Sequence, residues 1–314
     1  MSALKRLRVS SQVVNTLQRK YSSKQKQTEK TFEFKWSKRD TYESDAVKIS
    51  TKNWLFERYC DNDPGKLSSW LGGGRKIILD AGCGSGFSAV LFFRHHLKNH
   101  DYLGVDISSA VEIAKQRFAE EGYTGDFLQT SLTEIPIPDE SVDLIYSEGV
   151  LHHTDSTEES IKYLASKLKP GGQFLFYVYA KKAVIREFSD DYIRNAIAVM
   201  TNEESWEALK PLTELGIAMG KLNIEINVPK DIPFLCIKRG RYDLQRFFYW
   251  NICKLYYKPE FSFEEMHHIN FDWFRPMNCH RHTKEEIEKF CVNAGLNIIR
   301  LNIQNSGITV VAKK

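Results

Sequence analysis

Lys76-Ile77-Ile78-Leu79-Asp80-Ala81-Gly82-Cys83-Gly84-Ser85-Gly86-Phe87 runs from an apolar strand through an acid into a glycine-rich turn that opens an amphipathic helix. Three glycines at alternate positions let backbone approach a ligand where a Cβ would clash or forbid a positive φ. The spacing is G-x-G-x-G and not the G-x-G-x-x-G of dinucleotide sites. The acid stands before the loop, where a pyrophosphate is repelled and a sulfonium amino acid is welcome. That charge logic favours S-adenosylmethionine over NAD.

Working outward, Tyr102-Leu103-Gly104-Val105-Asp106 reads as a second buried strand ending in an acid, 26 residues after Asp80. A carboxylate at the C-terminal edge of a strand can accept both hydroxyls of a ribose. Further on come Asp143-Leu144-Ile145-Tyr146-Ser147-Glu148-Gly149-Val150-Leu151-His152-His153 and Leu168-Lys169-Pro170-Gly171-Gly172-Gln173-Phe174. On these motifs the chain resembles the class I S-adenosylmethionine-dependent methyltransferases, in the group with a "VLHH" segment after the fourth strand. The resemblance runs from about Phe32 to Lys314, and its motifs are specific to fold and cofactor, not to the acceptor. It implies a Rossmann-like, doubly wound sheet of seven strands with the last antiparallel. It also implies an insert that covers the active site and shapes the choice of substrate.

Alternation of strand and helix from Lys76 onward fits a parallel, doubly wound sheet. Strands are expected at Lys76–Asp80, Tyr102–Asp106, Asp126–Gln129, Val142–Ser147, Gly172–Tyr179, Leu296–Ile303 and Gly307–Ala312. Helices are expected at Ser88–Lys98, Ser109–Glu121, Thr157–Leu168 and Thr283–Ala294, the last opened by a Thr283/Glu286 capping box. After Tyr179 the alternation stops, and Pro211, Pro229 and Pro233 punctuate long helical periods. The expected organisation is a basic extension (1–30), a helical cap (31–75), the cofactor-binding core (76–180), a mainly helical, aromatic-rich insert between strands five and six (181–282), and a closing helix and hairpin (283–314).

Hydrophobic residues make up 42% of the 314, enough for a sizeable core, and the net charge is +4. Residues 1–28 hold seven Lys/Arg and no acid, so the remainder carries −3. Nucleic-acid recognition wants basic groups clustered on the folded body, and the sequence shows no such cluster, so a small-molecule acceptor is expected and a nucleic acid is not. Apolar runs such as Phe174–Ala180 are too short for a bilayer, which takes ~20 residues. Six cysteines without a C-x-x-C pair fit a reducing compartment and a cytoplasmic location. The N-terminal extension admits three readings. It can be a solvated or loosely helical tail, or a surface-binding helix with Leu4, Leu7, Val14 and Leu17 near one face. It can also be a mitochondrial presequence cleaved near Arg19-Lys20-Tyr21-Ser22. A homodimer, or a partner held through the insert or the tail, is the expectation for assembly.

Gly82, Cys83, Gly84 and Gly86 are expected to wrap the amino-acid end of the cofactor, helped by the following helix N-terminus, with Asp80 on the ammonium. The duller reading is a structural strand-to-helix turn. Asp106, followed by Ile107, is expected on the ribose, with a helix N-cap as the alternative. The family's adenine-binding Asp after the third strand is replaced here by Ser131, beside Leu132, and Asp126 reads as a surface residue. Ser147 and Glu148 end the fourth strand over the sulfonium. His152 and His153 lie within one turn, as general-base candidates or as shapers of the floor.

Twelve of the 33 residues in 242–274 are aromatic, reading as packing of insert on sheet, as a water-excluding acceptor cage, or as both. Asn270-Phe271-Asp272-Trp273-Phe274-Arg275-Pro276 with His280-Arg281-His282-Thr283 resembles an "F-D-W-x-x-P…H-x-H-T" element of the relatives. Asp272 and His280 are its best candidates for contacting substrate or taking its proton. The histidines there do not read as a metal site. The function expected is methyl transfer from S-adenosylmethionine, leaving S-adenosylhomocysteine, to oxygen or nitrogen of a sugar, glycan precursor or secondary metabolite. Three alternatives stay open. One is C-methylation of an aromatic or quinone-like acceptor, and one is a cofactor-binding pseudoenzyme or partner subunit. The third is non-methyl use of the cofactor through Arg275 or Arg281.

Overall fold

A computed structural model describes residues 2–9 and 21–314. Its frame is a seven-stranded sheet in the order β3-β2-β1-β4-β5-β9-β8. The first five strands are β1 (Ile77–Ala81), β2 (Asp101–Asp106), β3 (Asp126–Gln129), β4 (Val142–Glu148) and β5 (Leu168–Tyr179). They run parallel to their neighbours. After a two-stranded ribbon, β6 (Glu225–Val228) and β7 (Gly240–Asp243), the chain returns through β8 (Asn297–Ile303) and β9 (Gly307–Lys313). β9 pairs antiparallel with both β5 and β8, so the last strand is antiparallel, as the resemblance implies.

Every residue of β1 and β2 is buried. Near-continuous apolar runs are what parallel strands covered on both faces require. One face packs Leu79, Leu103, Ile145, Phe174 and Val310; the other packs Ile78, Tyr102, Tyr146, Leu175 and Val311. β5 begins at Leu168, ahead of the expected Gly172, because Leu168 already pairs with Val142 before a register shift carries the ladder to Leu144 and Gln173. The helix after the glycine turn stops at Phe93 and not at Lys98. Thr283 caps the helix Lys284–Asn293 through the expected reciprocal box with Glu286.

The insert is helical at Val184–Ile197, Asn202–Leu222, Leu244–Asn251 and Phe263–Phe274, and the β6–β7 ribbon is an addition to the sequence reading. Pro211 does not punctuate it but lies inside the helix Asn202–Leu222. The proline removes the N–H that would reach the Glu207 carbonyl, and Glu207 is exposed, so water can take the place of that bond.

The N-terminal region is closer to the sheet than a solvated tail. Ala3 and Leu7 are buried against Ile77 and Leu103. The Leu4 amide donates to Asp126 Oδ2 at 2.8 Å, and Arg6 pairs with Asp101, so Asp126 anchors this segment. Val14, Leu17, Arg19 and Lys20 lie outside the described residues. The helix Ser23–Ser37 then bridges the two sides of the cavity. Gln27 donates to the Arg275 carbonyl at 3.1 Å, Thr28 accepts from the Asn278 amide at 3.1 Å, and Trp36 lies against the glycine loop. Among the described residues no helix is long and apolar enough to cross a membrane.

Candidate functional site

At the C-terminal edge of β1 the chain turns sharply because two amides, Gly82 and Cys83, both donate to the Val105 carbonyl, at 2.7 and 2.9 Å. Gly82 has φ +89°, and a Cβ there would collide with Val150. Gly84 has φ +49°, and a Cβ there would lie 2.7 Å from the Trp36 indole nitrogen. Both positions therefore need glycine for backbone conformation and for space. The turn is tied to the end of β2: Asp106 Oδ2 accepts from the Gly84 amide at 2.9 Å, and Oδ1 accepts from the Ser108 amide and hydroxyl at 2.9 and 2.7 Å. Asp106 is thereby held in one orientation, and burial raises its pKa above the usual carboxylate range while these donors pull it back.

Asp80 is buried, and Tyr102 donates to its Oδ2 at 2.5 Å. Burial pushes the Asp80 carboxyl up to about 7, against the pull of that phenol. Its Oδ1 has no hydrogen-bond partner among the described residues, and the residue lines a cavity of about 640 Å³, within the usual size of ligand sites. A buried acid with a free oxygen suits an ammonium group, whose arrival would restore the ionised form.

The same cavity is lined by Gly82, Cys83, Asp106, Ile107, Leu132, Glu148, His153 and Asp272. Gly84, Gly86, Ser131, Ser147, His152 and His280 are outside its lining. Ser147 is buried beneath the loop and donates to the Ala81 carbonyl at 2.7 Å. Ser131 bonds Thr133 at 3.0 Å, and the turn after β3 presents Leu132 to the cavity and not the Ser131 hydroxyl. Glu148 is consumed by its neighbours: Arg58 donates to Oε1 at 2.9 Å and Tyr59 to Oε2 at 2.6 Å.

The histidine pair splits. His152 is fully buried, its ring tilted 35° to that of Tyr179 with centroids 3.8 Å apart, and neither ring nitrogen has a hydrogen-bond partner among the described residues. His153 lines the cavity; its Nδ1 lies 2.6 Å from the Asn278 carbonyl, so Nδ1 carries the proton and Nε2 is the basic nitrogen. Burial lowers its pKa to about 4, leaving it neutral near pH 7. Asp272 accepts from Lys35 Nζ at 2.5 Å and from the Tyr179 hydroxyl at 3.1 Å. Burial works against its charge, but Lys35 and His153 outweigh it and hold the carboxyl below the usual range. His280 faces the Thr154 carbonyl at 3.0 Å. Arg281 is bound by Glu187 and Asp191, and Arg275 reaches the Met200 carbonyl, so neither arginine faces the cavity. Among the described residues no three His, Cys, Asp or Glu side chains converge as metal ligands.

Residues 79–176 match the family described as "Methyltransferase domain". Over that stretch, which runs from β1 into β5, the chain is similar to a methyltransferase domain. S-adenosylmethionine is the cofactor of such a domain; of the residues expected to hold it, Asp80, Gly82, Cys83 and Asp106 line the cavity. Among curated relatives, an uncharacterized Synechococcus protein is 35% identical over 135 residues, covering 41% of this chain and 31% of its own. A probable tRNA methyltransferase 9B of Homo sapiens is 34% identical over 115 residues, covering 36% of this chain and 23% of its own. The chain thus spans a quarter to a third of the length of these relatives. A solved methyltransferase structure from Aquifex aeolicus aligns over 84% of this chain and 97% of its own, at 13% identity and a TM-score of 0.43.

Outside the matched methyltransferase core, the cavity is completed by residues to which the sequence assigned no site role of their own. The helices Ser23–Ser37 and Asp45–Cys60 give Lys35 and Trp54; the insert and β5 give Lys182, Lys254, Tyr249 and Tyr177. Only the aromatic density of 242–274 signalled this wall: Tyr249, Trp250, Tyr256, Phe261 and Trp273 line it, while Phe271 and Phe274 are buried in the core behind.

Proposed function

We propose that this protein transfers the methyl group of S-adenosylmethionine to an oxygen or nitrogen of a small molecule held between the methyltransferase core and the insert. One observation supports the reading: Gly82 and Cys83 of the glycine loop, with Asp80 and Asp106, line the same cavity as the aromatic side chains of the insert. The bound cofactor would supply an electrophilic methyl on sulfur, released as S-adenosylhomocysteine when the acceptor forms its new bond. The protein then has to align the acceptor, exclude water and take up the acceptor's proton. Phe32, Trp54, Tyr177 and Trp250 make walls suited to water exclusion. His153 and the Asp272 carboxylate are the candidates for this among the cavity groups able to accept a proton. The curated relatives include proteins named for tRNA and for protein arginine. The family match, however, ends at 176, before the insert that walls the acceptor end.

Calorimetric titration with S-adenosylmethionine, S-adenosylhomocysteine and NAD side by side, followed by a screen of acceptors by product mass, tests the proposal. Micromolar binding of the first two with silence from NAD, and a gain of one methyl on a small molecule, is the expected result. Binding of NAD alone, or methylation confined to tRNA or protein, would overturn it.

A further inference from the structure

Trp273 sits at the acceptor end of the cavity inside a ring of cations. Lys254 Nζ lies 4.8 Å from its ring centroid, the Arg186 and Arg194 guanidinium carbons each 5.2 Å, and Lys182 Nζ 5.5 Å. Lys182, Arg186, Lys254 and Trp273 all line the cavity.

Three carboxylates stand near these cations, and all are taken: Glu187 accepts from the Lys182 backbone amide at 2.6 Å and pairs with Arg281 at 2.7 Å. Asp190 is fully buried; Arg186 Nε and the Trp273 indole N–H donate to its Oδ2 at 2.6 and 2.7 Å, and the Lys254 backbone amide to its Oδ1 at 3.1 Å. Asp272 is held by Lys35. Among the described residues Lys182 Nζ donates to the carbonyls of Asn305 and Ser306, both at 2.6 Å, and to no carboxylate. Lys254 is 6% exposed, and its ammonium has no hydrogen-bond partner among the described residues. Burying an ammonium without a counter-charge is costly. Burial accordingly lowers both lysines to about 7, and an arriving anion would return them to the charged form. The indole face and the neighbouring Tyr249 and Trp250 rings offer stacking surface beside the charges.

We propose that the Trp273 end of the cavity is an oxyanion subsite, in which Lys254 and Lys182 hold a carboxylate or phosphate of the methyl acceptor. This deepens the small-molecule reading and rests on it. The acceptor is then an anionic compound, gripped by its charged end while its nucleophilic atom faces the glycine loop. Lys254 makes no direct carboxylate ion pair among the described residues, and its nearest acids, Asp190 and Asp272, are bonded to other donors.

The test uses the full-length protein loaded with S-adenosylhomocysteine and titrated with benzoate, phenyl phosphate and phenol by calorimetry. At least one of the two anions is expected to bind about tenfold or more tighter than phenol. Lys254→Met should weaken that anion about ten- to hundredfold, the range of a charge-assisted hydrogen bond, while phenol is unaffected. Lys182→Met gives a second, independent loss. S-adenosylhomocysteine affinity in each variant reports folding and tests the cofactor reading separately. If that product fails to bind wild type, the cofactor assignment falls and takes the proposal with it. If it binds but phenol matches both anions, or neither lysine variant changes anion affinity, the subsite alone is wrong. The preferred anion tells carboxylate from phosphate.

Discussion

Glu148→Ala should be among the most destabilising single changes in the molecule, and the structure gives its size. The Arg58 side chain is wholly buried, Glu148 is 7% exposed, and the two meet at 2.9 Å. Arg58 lies between the rings of Trp54 and Tyr177, each centroid 3.4 Å from the guanidinium carbon, and donates to Thr309 Oγ1 at 3.0 Å. Removing the carboxylate strands a desolvated guanidinium, at a cost of about 3–5 kcal/mol, and leaves the Tyr59 hydroxyl without its acceptor. The flanking rings stay and hold the loss within that range. Replacing the whole buried set together (Arg58→Met, Glu148→Met and Tyr59→Phe) removes charges and hydroxyl at once. That variant should fall within about 2 kcal/mol of the parent, because an apolar substitute for a buried pair is often neutral. Urea denaturation of the cofactor-free protein measures both, as a shift in midpoint at constant slope. A loss below about 1 kcal/mol for Glu148→Ala would refute the reasoning, as would a triple variant no better than the single one.

Asp106→Ala should weaken S-adenosylhomocysteine binding by well over tenfold in calorimetry, since it removes both the ribose acceptor and the clamp on the Gly84 amide; unchanged affinity would sink the ribose assignment. Gly82→Ala asks an alanine to hold φ +89° against Val150, so cofactor binding should be lost well before the fold is, with near-normal far-UV dichroism. Acid should destabilise the protein well above the carboxylate range. His153, His267 and His282 are each lowered by burial to about 4, so between pH 6.5 and 4 the unfolded chain takes up protons that the folded one refuses. Their contribution is complete above about pH 6.5 and lost toward pH 4. Asp80, raised to about 7, opposes this, as do Asp106 and Glu148, which burial also raises, while burial lowers His152 and His268 as well and adds to the histidine effect. Urea midpoints should therefore drop steeply from pH 7 to pH 5, and a flat profile would contradict the burial of these rings.

The sheet was readable because its signals are local. Lys76–Asp80 and Tyr102–Asp106 are apolar runs with an acid at the end, and each falls within one residue of the observed strand. The turn proposed to hold the cofactor was equally local, its glycines and acids lying close together in sequence. The acceptor end was not. Lys35 meets Asp272 across 237 residues, and Lys254 stands at Trp273 only because the insert helices pack as they do. A lysine that faces a cavity looks, in sequence, like one that faces water. His152 and His153 show the same limit: adjacent in the motif, they point to different surroundings, and only packing against Tyr179 and Asn278 separates them. Pro211 misled because a proline in a helix whose lost bond faces water is tolerated, and exposure is not written in the sequence.

The Arg58 junction also bears on the order in which the protein can be made. Its hydrogen bond to Thr309 spans 251 residues, and the Thr28–Asn278 contact spans 250. Contacts this distant in sequence are slow to form, since loop closure precedes any return from them. On the ribosome, the N-terminal helices emerge early with a guanidinium and several apolar rings that have nothing to pair with until β9 follows at the far end of the chain. The cofactor loop is therefore synthesised long before its walls are complete, and the nascent chain, holding that exposed surface, is open to mispairing and aggregation until its final strand joins the sheet.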